Sequence, residues 1–232
     1  MQTDACFFPS KYYNIDFSVM NDIRLNHTLP RVFSSSNVQS EIWNNDVVLQ
    51  KGEIYLIEAS SGAGKSSLCS FISGYRKDFS GTILFDGVDV STFTIKDWVD
   101  VRSRHLSLVF QELKLFPELT AIENVLIKNQ LTNHKTLPQI EEWFSAVGLG
   151  DKLNSKVCEM SFGQQQRVAI LRALSQPFDF LLADEPVSHL DDANAHIISE
   201  ILLNEAKAQG ATIVVTSIGK RMNLPYNKIF CL

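Results

Sequence analysis

The sequence predicts an α/β fold in which a mostly parallel sheet with right-handed crossovers carries a smaller antiparallel lobe. Three observations lead to this prediction. Apolar runs that suit buried strands alternate with helical patterns, which is typical of a parallel sheet. A glycine- and serine-rich loop lies between one such run and a helical pattern. The pair Asp86-Gly87 separates two further apolar runs and indicates an antiparallel hairpin.

The composition fits one domain. The chain has 232 residues, of which 45% are hydrophobic, so it can bury a sizeable core. Its net charge of -5 gives no broad electrostatic attraction for nucleic acid. No apolar run is long enough to span a bilayer, and no signal-peptide pattern opens the chain. Because Cys6, Cys69, Cys158 and Cys231 show neither metal-ligand spacing nor a dense framework, we expect free thiols in a reducing compartment.

The first part of the chain is the least regular. Up to about Lys51 it is polar, and we expect short strands there with a loop at residues 34–36. The Asp86-Gly87 hairpin joins strands over residues 82–85 and 88–90. It therefore predicts an antiparallel lobe beside the core.

The loop at residues 59–66 has the strand before it and the helix after it that a phosphate-binding loop requires. Gly62 and Gly64 let backbone N–H groups approach phosphate oxygens, and the helix start adds its dipole. Lys65 can bridge the outer phosphates, and the Ser66 hydroxyl is placed to bind magnesium. A ligand-free turn between strand and helix is the alternative that this loop alone leaves open.

The next stretch, from Gln111 to about residue 160, reads as helices. A capping box at residues 120–123 precedes an apolar segment. Pro138 opens a second helix that has Ile140 and Phe144 on one face. We expect these side chains to form the core of a small helical lobe.

The apolar run at residues 180–183 predicts a buried strand that ends in Asp184 and Glu185. Carboxylates at the carboxyl end of such a strand are a common site in open α/β sheets. Asp184 would hold magnesium through water, and Glu185 would polarise the attacking water; the alternative is that both acids only cap the next element. Together with Lys65, they favour phosphoryl-transfer chemistry, which relies on positioning and charge neutralisation.

The last third of the chain returns to core patterns. A helix begins at Asp192, turns Ile198 and Leu202 inward and ends before Gly210. A buried strand over residues 212–215 follows, and residues 227–232 are predicted to form an edge strand. We expect no C-terminal regulatory domain after it.

The segment Met160-Ser161-Phe162-Gly163-Gln164 resembles the signature sequence of ATP-binding cassette (ABC) ATPases, usually Leu-Ser-Gly-Gly-Gln. The other motifs follow in that family's order: the phosphate loop, Gln111, the strand ending in Asp184-Glu185, and residues 188–191 in the place of the D-loop. The resemblance covers essentially the whole chain. Ser161 is also a good helix cap ahead of an apolar stripe, and both roles can hold at once.

The resemblance implies a P-loop NTPase with a RecA-like, mostly parallel core sheet, an antiparallel β lobe and an inserted helical lobe. The whole chain, 1–232, would be a single ABC ATPase domain. Residues 1–110 and 165–232 would form the nucleotide-binding core with the β lobe, and residues 111–164 the helical lobe.

The resemblance implies ATP and Mg²⁺ as cofactors, and it assigns the family's site residues to matching positions of this sequence. In this family two subunits pack head to tail, so that the signature of one closes over ATP held by the other. The implied ATP-binding residues are Ser60, Ser61, Gly62, Ala63, Gly64, Lys65, Ser66, Ser67, Phe33, Ser161, Gly163, Gln164 and Asp191. Catalytic positions fall on Glu185, Gln111 and Ser217, and metal positions on Ser66, Gln111 and Asp184. For the ring that stacks on adenine, Phe33 is the first candidate and Trp43 the second, and either can instead be ordinary core.

Three positions depart from the family pattern. Ala59 replaces the first glycine of the phosphate loop, where a left-handed backbone would carry a steric cost. Phe162 replaces a signature glycine, and Ser217 replaces the switch histidine that normally follows the strand. Because a serine cannot exchange a proton near neutral pH, we expect slow hydrolysis. His189 in the D-loop either takes over part of that role or is simply exposed.

The resemblance implies an ATPase subunit of a transporter, most like the lipoprotein-release, macrolide-export and cell-division-associated group. Its partners would be a second copy and an integral membrane permease, with no nucleic acid, and it would lie on the cytoplasmic face of the membrane through that permease. The exposed neighbourhood of Phe116 would face the permease or be tucked into its own lobe. Alternatives are an ATP-dependent regulatory subunit with little turnover and, ranked last, an ABC ATPase of DNA repair or chromosome maintenance, since coiled-coil heptads and Cys-x-x-Cys pairs are missing.

Overall fold

The computed structural model of the protein describes residues 18–36 and 38–232; Cys6 and the rest of the first 17 residues lie outside the described part. The strands are β1 Asp22–Pro30, β2 Asp46–Gln50, β3 Ile54–Glu58, β4 Phe79–Phe85, β5 Val88–Asp89, β6 Leu106–Val109, β7 Phe180–Asp184, β8 Thr212–Ser217 and β9 Lys228–Cys231. The α-helices are α1 Lys65–Ile72, α2 Ile95–Asp100, α3 Ala121–Asn129, α4 Leu137–Ala146, α5 Phe162–Leu174 and α6 Asp192–Gln209.

A parallel sheet forms the centre of the molecule. Its strand order is β6-β7-β8-β3-β9, and every pairing within it is parallel. Strands β7 and β8 are buried along their whole length, as expected for strands covered on both faces. The predictions of a mostly parallel sheet and of a last strand at its edge are confirmed, since β3 is the one strand among residues 18–36 and 38–232 that pairs with β9.

The smaller sheet is antiparallel, with strand order β2-β1-β4-β5. The predicted hairpin is confirmed: Phe85 pairs with Val88, and the turn residues Asp86 and Gly87 have φ of 47° and 81°, as a tight hairpin turn demands. The expectation that the first part of the chain is irregular was wrong for β1, which is nine residues long. Its alternation of buried and exposed positions is short, because a shift in register follows Asn26.

The register shift in β1 requires glycine on the neighbouring strand. Gly81 of β4 has φ of +81°, and a Cβ placed on it would lie 2.3 Å from the carbonyl oxygen of His27. No side chain fits at that distance, so the two backbones can approach there only because Gly81 has none.

The helices of residues 111–164 are capped as predicted. Thr120 and Glu123 form a capping box at the start of α3, and Pro138 lies in the first turn of α4. Ile140 and Phe144 are buried, which confirms the predicted inward face of α4. Helix α3 packs on α5, which connects this region to the core. Since α5 begins at residue 162, it runs across the predicted boundary between 164 and 165.

A buried carboxylate fixes the antiparallel sheet to the parallel one. Asp179, just before β7, accepts hydrogen bonds from the backbone N–H of Met20 at 2.8 Å and from Lys51 Nζ, and its Oδ2 lies 2.6 Å from His105 Nδ1. Burial opposes ionisation of Asp179, but the hydrogen bonds from His105, Lys51 and Met20 prevail and lower its pKa. The carboxylate therefore holds three distant segments together at the end of the sheet opposite to the phosphate loop.

Two apolar cores lie on the two sides of the parallel sheet. One packs α3, α4, α5 and α6 against it, and the other fills the space between the parallel sheet, α1 and the antiparallel sheet. Within residues 18–36 and 38–232, no helix is both long and apolar enough to cross a membrane. The cysteines at 69, 158 and 231 are free thiols.

Candidate functional site

The phosphate-binding loop leaves β3 and enters α1 at Lys65. Gly62 and Gly64 have φ of 82° and 99°, a left-handed conformation that only glycine adopts without strain. Ala59 is not among the described residues with positive φ, so the steric cost expected for it does not arise. Its N–H donates to the carbonyl of Ser217 at 3.2 Å, which ties the loop to β8.

The aromatic rings of Trp43 and Phe33 lie next to this loop. Trp43 Nε1 donates to the carbonyl of Ala63 at 2.9 Å, and a Cβ on Gly64 would lie 3.1 Å from Trp43 and 3.2 Å from Phe33. Trp43 is only 1% exposed and packs edge-on against Phe71, so it belongs to the core. Phe33, in a short 3₁₀ turn, is half-buried.

The Lys65 side chain is buried at the start of α1, with 5% of the residue exposed. Its Nζ donates to the carbonyl of Ser60 at 3.1 Å and lies 3.7 Å from Oε1 of Glu185. Glu185 has φ of 50°, in the left-handed region that non-glycine residues rarely adopt. Such strain is common at functional sites, and here it follows directly after strand β7.

Oxygen donors lie beside this pair. Ser66 Oγ donates to Gln111 Oε1 at 3.2 Å, and the buried Asp184 accepts a hydrogen bond from Thr216 Oγ1 at 2.5 Å. A cavity of about 250 Å³ is lined by Lys65, Ser66, Gln111 and Glu185 together with the loop. A neighbouring cavity of about 450 Å³ is lined by Ser66, Gln111 and Asp184. The structure thus brings together a cation, two carboxylates, a hydroxyl and an amide at the carboxyl end of the parallel sheet.

The signature segment lies apart from this cavity. Ser161 caps α5: its Oγ accepts from the N–H of Gln164 at 3.3 Å, and Gln164 Oε1 accepts from the N–H of Ser161 at 2.8 Å. Phe162 is 45% exposed, and its ring centroid is 4.4 Å from that of His189. None of Ser161, Gly163 and Gln164 lines the phosphate-loop cavity. Within one chain the two motifs are therefore separate.

The D-loop and the end of β8 are connected to each other. Asp191 caps α6 by accepting from the N–H of Asn194 at 2.8 Å, which lowers its pKa. Ser217 is buried, and its hydroxyl donates to the carbonyl of Lys220 at 2.6 Å. Lys220 Nζ in turn donates to the carbonyl of Leu190 at 2.5 Å. The Ser217 hydroxyl is thus used within its own loop, and the phosphate-loop cavity is lined by the next residue, Ile218.

Sequence reasoning missed three supporting side chains. Thr216 holds Asp184, and Trp43 holds the phosphate loop, as described above. Gln166 is buried and bridges two motifs: its Nε2 donates to the carbonyl of Glu185 at 3.2 Å, and its Oε1 accepts from the N–H of His189 at 3.3 Å. For Gln166, the sequence does contain a signal, because a polar residue stands on the otherwise apolar buried face of α5.

Comparison with known proteins gives a consistent set of relatives. A sequence model of the ABC transporter family matches residues 43–188. The chain is 38% identical over 168 residues to the ABC transporter ATP-binding protein YtrE of Bacillus subtilis, covering 71% of this chain and 73% of YtrE. It is 34% identical over 175 residues to the lipoprotein-releasing system ATP-binding protein LolD of Syntrophus aciditrophicus, covering 74% and 78%.

Solved structures agree with this similarity. The dimeric bacterial ABC transporter cassette MJ0796 superposes with a TM-score of 0.72 at 27% identity, covering 84% of this chain and 87% of that one. A post-hydrolysis state of the same cassette, bound to ADP and Pi, superposes with a TM-score of 0.71.

Proposed function

Because the chain belongs to the ABC transporter family, we propose that it is the ATP-binding subunit of a transporter. In this role, two subunits bind and hydrolyse ATP as a head-to-tail homodimer and thereby move a separate membrane permease. The observation that carries the proposal is the convergence of Lys65, Ser66, Gln111 and Glu185 on one cavity at the start of α1. The names of the relatives support a transporter subunit over a regulatory subunit with little turnover.

The phosphate loop is built to hold the triphosphate of ATP. Its left-handed glycines line the cavity, where backbone N–H groups would contact phosphate oxygens, and Lys65 would supply the charge that the outer phosphates require. Lys65 is at present held by Ser60 and Glu185, so ATP exchanges one set of oxygen partners for another. Residues 60–67 are accordingly the proposed phosphate contacts. The half-buried Phe33 is the proposed adenine contact, because Trp43 is buried under the loop.

The proposed magnesium ligands are Ser66 and Gln111, with Asp184 acting through water. Hydroxyl, amide and carboxylate oxygens are the donors that this ion prefers, and the 3.2 Å between Ser66 Oγ and Gln111 Oε1 brings two of them to one place. When bound, the ion would neutralise charge on the phosphates. Mg²⁺ usually keeps several waters and binds through few protein ligands and substrate phosphates, so water and the phosphates would complete the shell.

Hydrolysis is assigned to Glu185, which lines the cavity beside Lys65 and would orient the attacking water. Its strained backbone is fixed on both sides, by Thr216 at its N–H and by Gln166 at its carbonyl. We also propose that turnover is slow. Phe162 projects from the signature, and the hydroxyl of Ser217 is engaged with Lys220 rather than facing the phosphates.

The signature acts on the partner subunit in this proposal. Ser161, Gly163 and Gln164 lie away from the chain's own phosphate loop, as expected if they close over ATP in the second copy. Asp191 in the D-loop would lie at the same interface. ATP that contacts both subunits shifts the dimer toward its closed state, because ADP lacks the contacts of the outer phosphate.

The permease is the second partner. We propose that it contacts the helical lobe near Phe116, which is 51% exposed, and that it holds the subunit at the cytoplasmic face of the membrane. The division of the domain into residues 1–110 and 165–232 on one side and 111–164 on the other is part of this proposal. Its support is that α3 and α4 both lie within the second range.

The test uses the Glu185→Gln variant, measured by light scattering with and without magnesium and ATP. We expect the variant to be a monomer without nucleotide and a stable dimer with ATP. The matched control is Glu200→Gln, which removes an exposed carboxylate of α6 and should dimerise and turn over ATP as the unmodified protein does. Glu185→Gln protein that binds ATP in calorimetry yet stays monomeric would contradict the head-to-tail dimer. Failure of the unmodified protein to bind ATP at all would contradict the assignment of the site.

A further inference from the structure

An exposed imidazole in the D-loop is held in one orientation. His189 is exposed, yet its ring packs edge-on against the ring of Phe162, with 4.4 Å between the two centroids. Its Nδ1 lies 2.8 Å from Ser188 Oγ, and its N–H donates to Oε1 of the buried Gln166 at 3.3 Å. An exposed side chain gives up conformational entropy when it is fixed in this way. In return, its free edge has a defined direction in which it can meet a ligand.

The hydrogen bonds also decide which ring nitrogen carries the proton. Ser188 Oγ donates its proton to the carbonyl of Glu185 at 3.1 Å, so toward His189 this oxygen can only accept. The proton between Ser188 and His189 is therefore on Nδ1. Among residues 18–36 and 38–232, Nε2 has no hydrogen-bond partner, and it lies on the other edge of the exposed ring. Nε2 is thus the atom that His189 offers to a group from outside the chain.

The position of His189 is fixed relative to the end of β7. Besides accepting from His189, the Gln166 side chain donates from Nε2 to the carbonyl of Glu185 at 3.2 Å, which is the carbonyl that Ser188 also reaches. These contacts close a ring of hydrogen bonds through Glu185, Ser188, His189 and Gln166. Because Gln166 is buried in α5, the ring anchors an exposed side chain to the core.

His189 lies on the surface of the signature and away from the phosphate loop of its own chain. It contacts Phe162 of the signature, and a Cβ placed on Gly163 would lie 3.2 Å from the carbonyl oxygen of His189. Neither His189 nor the signature residues line the chain's own phosphate-loop cavity. A ligand that meets the signature is therefore within reach of His189 as well.

We propose that His189 binds phosphate across the subunit interface, where its Nε2 donates to the outer phosphate of the ATP that the second copy holds. This inference rests on the proposed function and adds a residue to the composite site of the dimer. An imidazolium donates from both nitrogens, and a phosphate oxygen is the acceptor that best favours this charged form. The end of β8 offers no such donor, since the Ser217 hydroxyl is engaged with the carbonyl of Lys220.

The test compares two substitutions of His189 in protein that also carries Glu185→Gln, so that the ATP-bound dimer accumulates. His189→Asn keeps a nitrogen in the place of Nδ1 and removes Nε2, whereas His189→Gln places an amide nitrogen close to the position of Nε2. The dissociation constant of the dimer is measured with magnesium and ATP by light scattering over a dilution series. We expect His189→Asn to raise it about tenfold or more, because a hydrogen bond to a charged group is lost in each of two sites. His189→Gln should retain most of the affinity.

Two controls accompany this comparison. His196→Asn removes the imidazole of another exposed histidine, on α6, and should leave the dissociation constant unchanged. ADP affinity, measured by calorimetry, reports on the phosphate loop within one chain. It should be the same with and without the substitutions of His189, since this residue does not line that cavity.

The other outcomes separate this inference from the proposed function. An unchanged dissociation constant in His189→Asn would overturn the inference and leave the head-to-tail dimer standing. Equal weakening by His189→Asn and His189→Gln would overturn it too, because the D-loop would then matter for its shape and not for Nε2. A loss of ADP affinity would place the action of His189 within its own chain. If Glu185→Gln protein forms no dimer with ATP at all, the dimer of the proposed function is wrong, and this inference is wrong with it.

Discussion

The nucleotide cleft differs in how its charges are satisfied from a cavity of about 320 Å³ lined by Arg102, Lys114, Lys128 and Arg172, which we call the cationic groove. In the cleft, Lys65 lies beside Glu185, and Asp184 is held by Thr216. In the groove, Lys128 and Arg172 donate to backbone carbonyls, and neither has a carboxylate within ion-pair distance among residues 18–36 and 38–232. The charges of the cleft are thus paired with each other, whereas those of the groove are held by peptide dipoles, which balance a buried charge less well.

The largest expected effect comes from removing the cation of the cleft. Lys65→Met should weaken ATP binding about 100-fold, because charge-assisted hydrogen bonds to phosphate are each worth roughly 1.5–3 kcal/mol. Lys207→Met, which removes an exposed charge of α6, is the matched control and should bind ATP as the unmodified protein does. Calorimetry with magnesium and ATP measures both variants. Equal ATP affinity of Lys65→Met and the unmodified protein would show that Lys65 does not hold the phosphates.

The second prediction tests whether the cleft is preassembled. A methyl group at Gly64 meets Trp43 at 3.1 Å and also forces an alanine into a left-handed backbone, so Gly64→Ala should lower stability by about 2 kcal/mol and ATP affinity about tenfold. Gly62→Ala is the matched control: its φ is +82°, but a Cβ there has no neighbour within 4 Å. Gly62→Ala should lower stability by only about 1 kcal/mol, which is the cost of an alanine in a left-handed backbone.

Urea unfolding and ATP titration of both variants measure this difference. Equal losses of stability and of ATP affinity in Gly62→Ala and Gly64→Ala would show that contact with Trp43 and Phe33 does not shape the loop. The prediction that the cleft is preassembled would then be wrong.

The sequence predicted the cleft far better than the groove, for a physical reason. The phosphate loop, the acids after β7 and the helix caps of Thr120 and Ser161 depend on residues that are close in sequence, so that local patterns reveal them. The pairs Trp43–Ala63, Thr216–Asp184 and Arg172–Leu113 join segments that are far apart along the chain.

Such long-range pairs depend on how the layers pack, and single-residue patterns carry no signal for them. The groove is an extreme case, since Arg102, Lys128 and Arg172 come from three separate segments and look individually like ordinary surface charges. Only short strands were expected where β1 lies, because its alternation is interrupted by the shift in register opposite Gly81.

The third prediction concerns the loss of folding stability that the positive charge of Lys128 causes in the cationic groove. The folded pKa of Lys128 is about 8 and its ordinary value is 10.5, so between these pH values the unfolded chain binds more protons than the folded one. The destabilisation from Lys128 is therefore complete below pH 8 and diminishes as the pH rises toward 10.5. Lys128→Met should stabilise the isolated protein by roughly 1–2 kcal/mol at pH 7, and by less at pH 9.5.

Urea unfolding at both pH values checks this, with Lys207→Met as the control that should change stability little at either. A Lys128→Met variant that is less stable than the unmodified protein at pH 7 would mean that the charge is already balanced within the chain, and the contrast with the cleft would disappear.

The smallest expected effect concerns the end of β8, where Ser217 stands in place of the family's switch histidine. Ser217→His should raise ATP turnover severalfold, because an imidazole can exchange a proton near neutral pH and a serine cannot. It should also lower stability by about 1 kcal/mol, since the hydrogen bond from Ser217 to the carbonyl of Lys220 is lost. Ser217→Ala loses the same hydrogen bond without gaining an imidazole, so its turnover should not rise. Equal turnover in both variants and in the unmodified protein would show that the missing histidine does not limit hydrolysis. Slow turnover, if still observed, would then have to come from the signature, where Phe162 packs against His189.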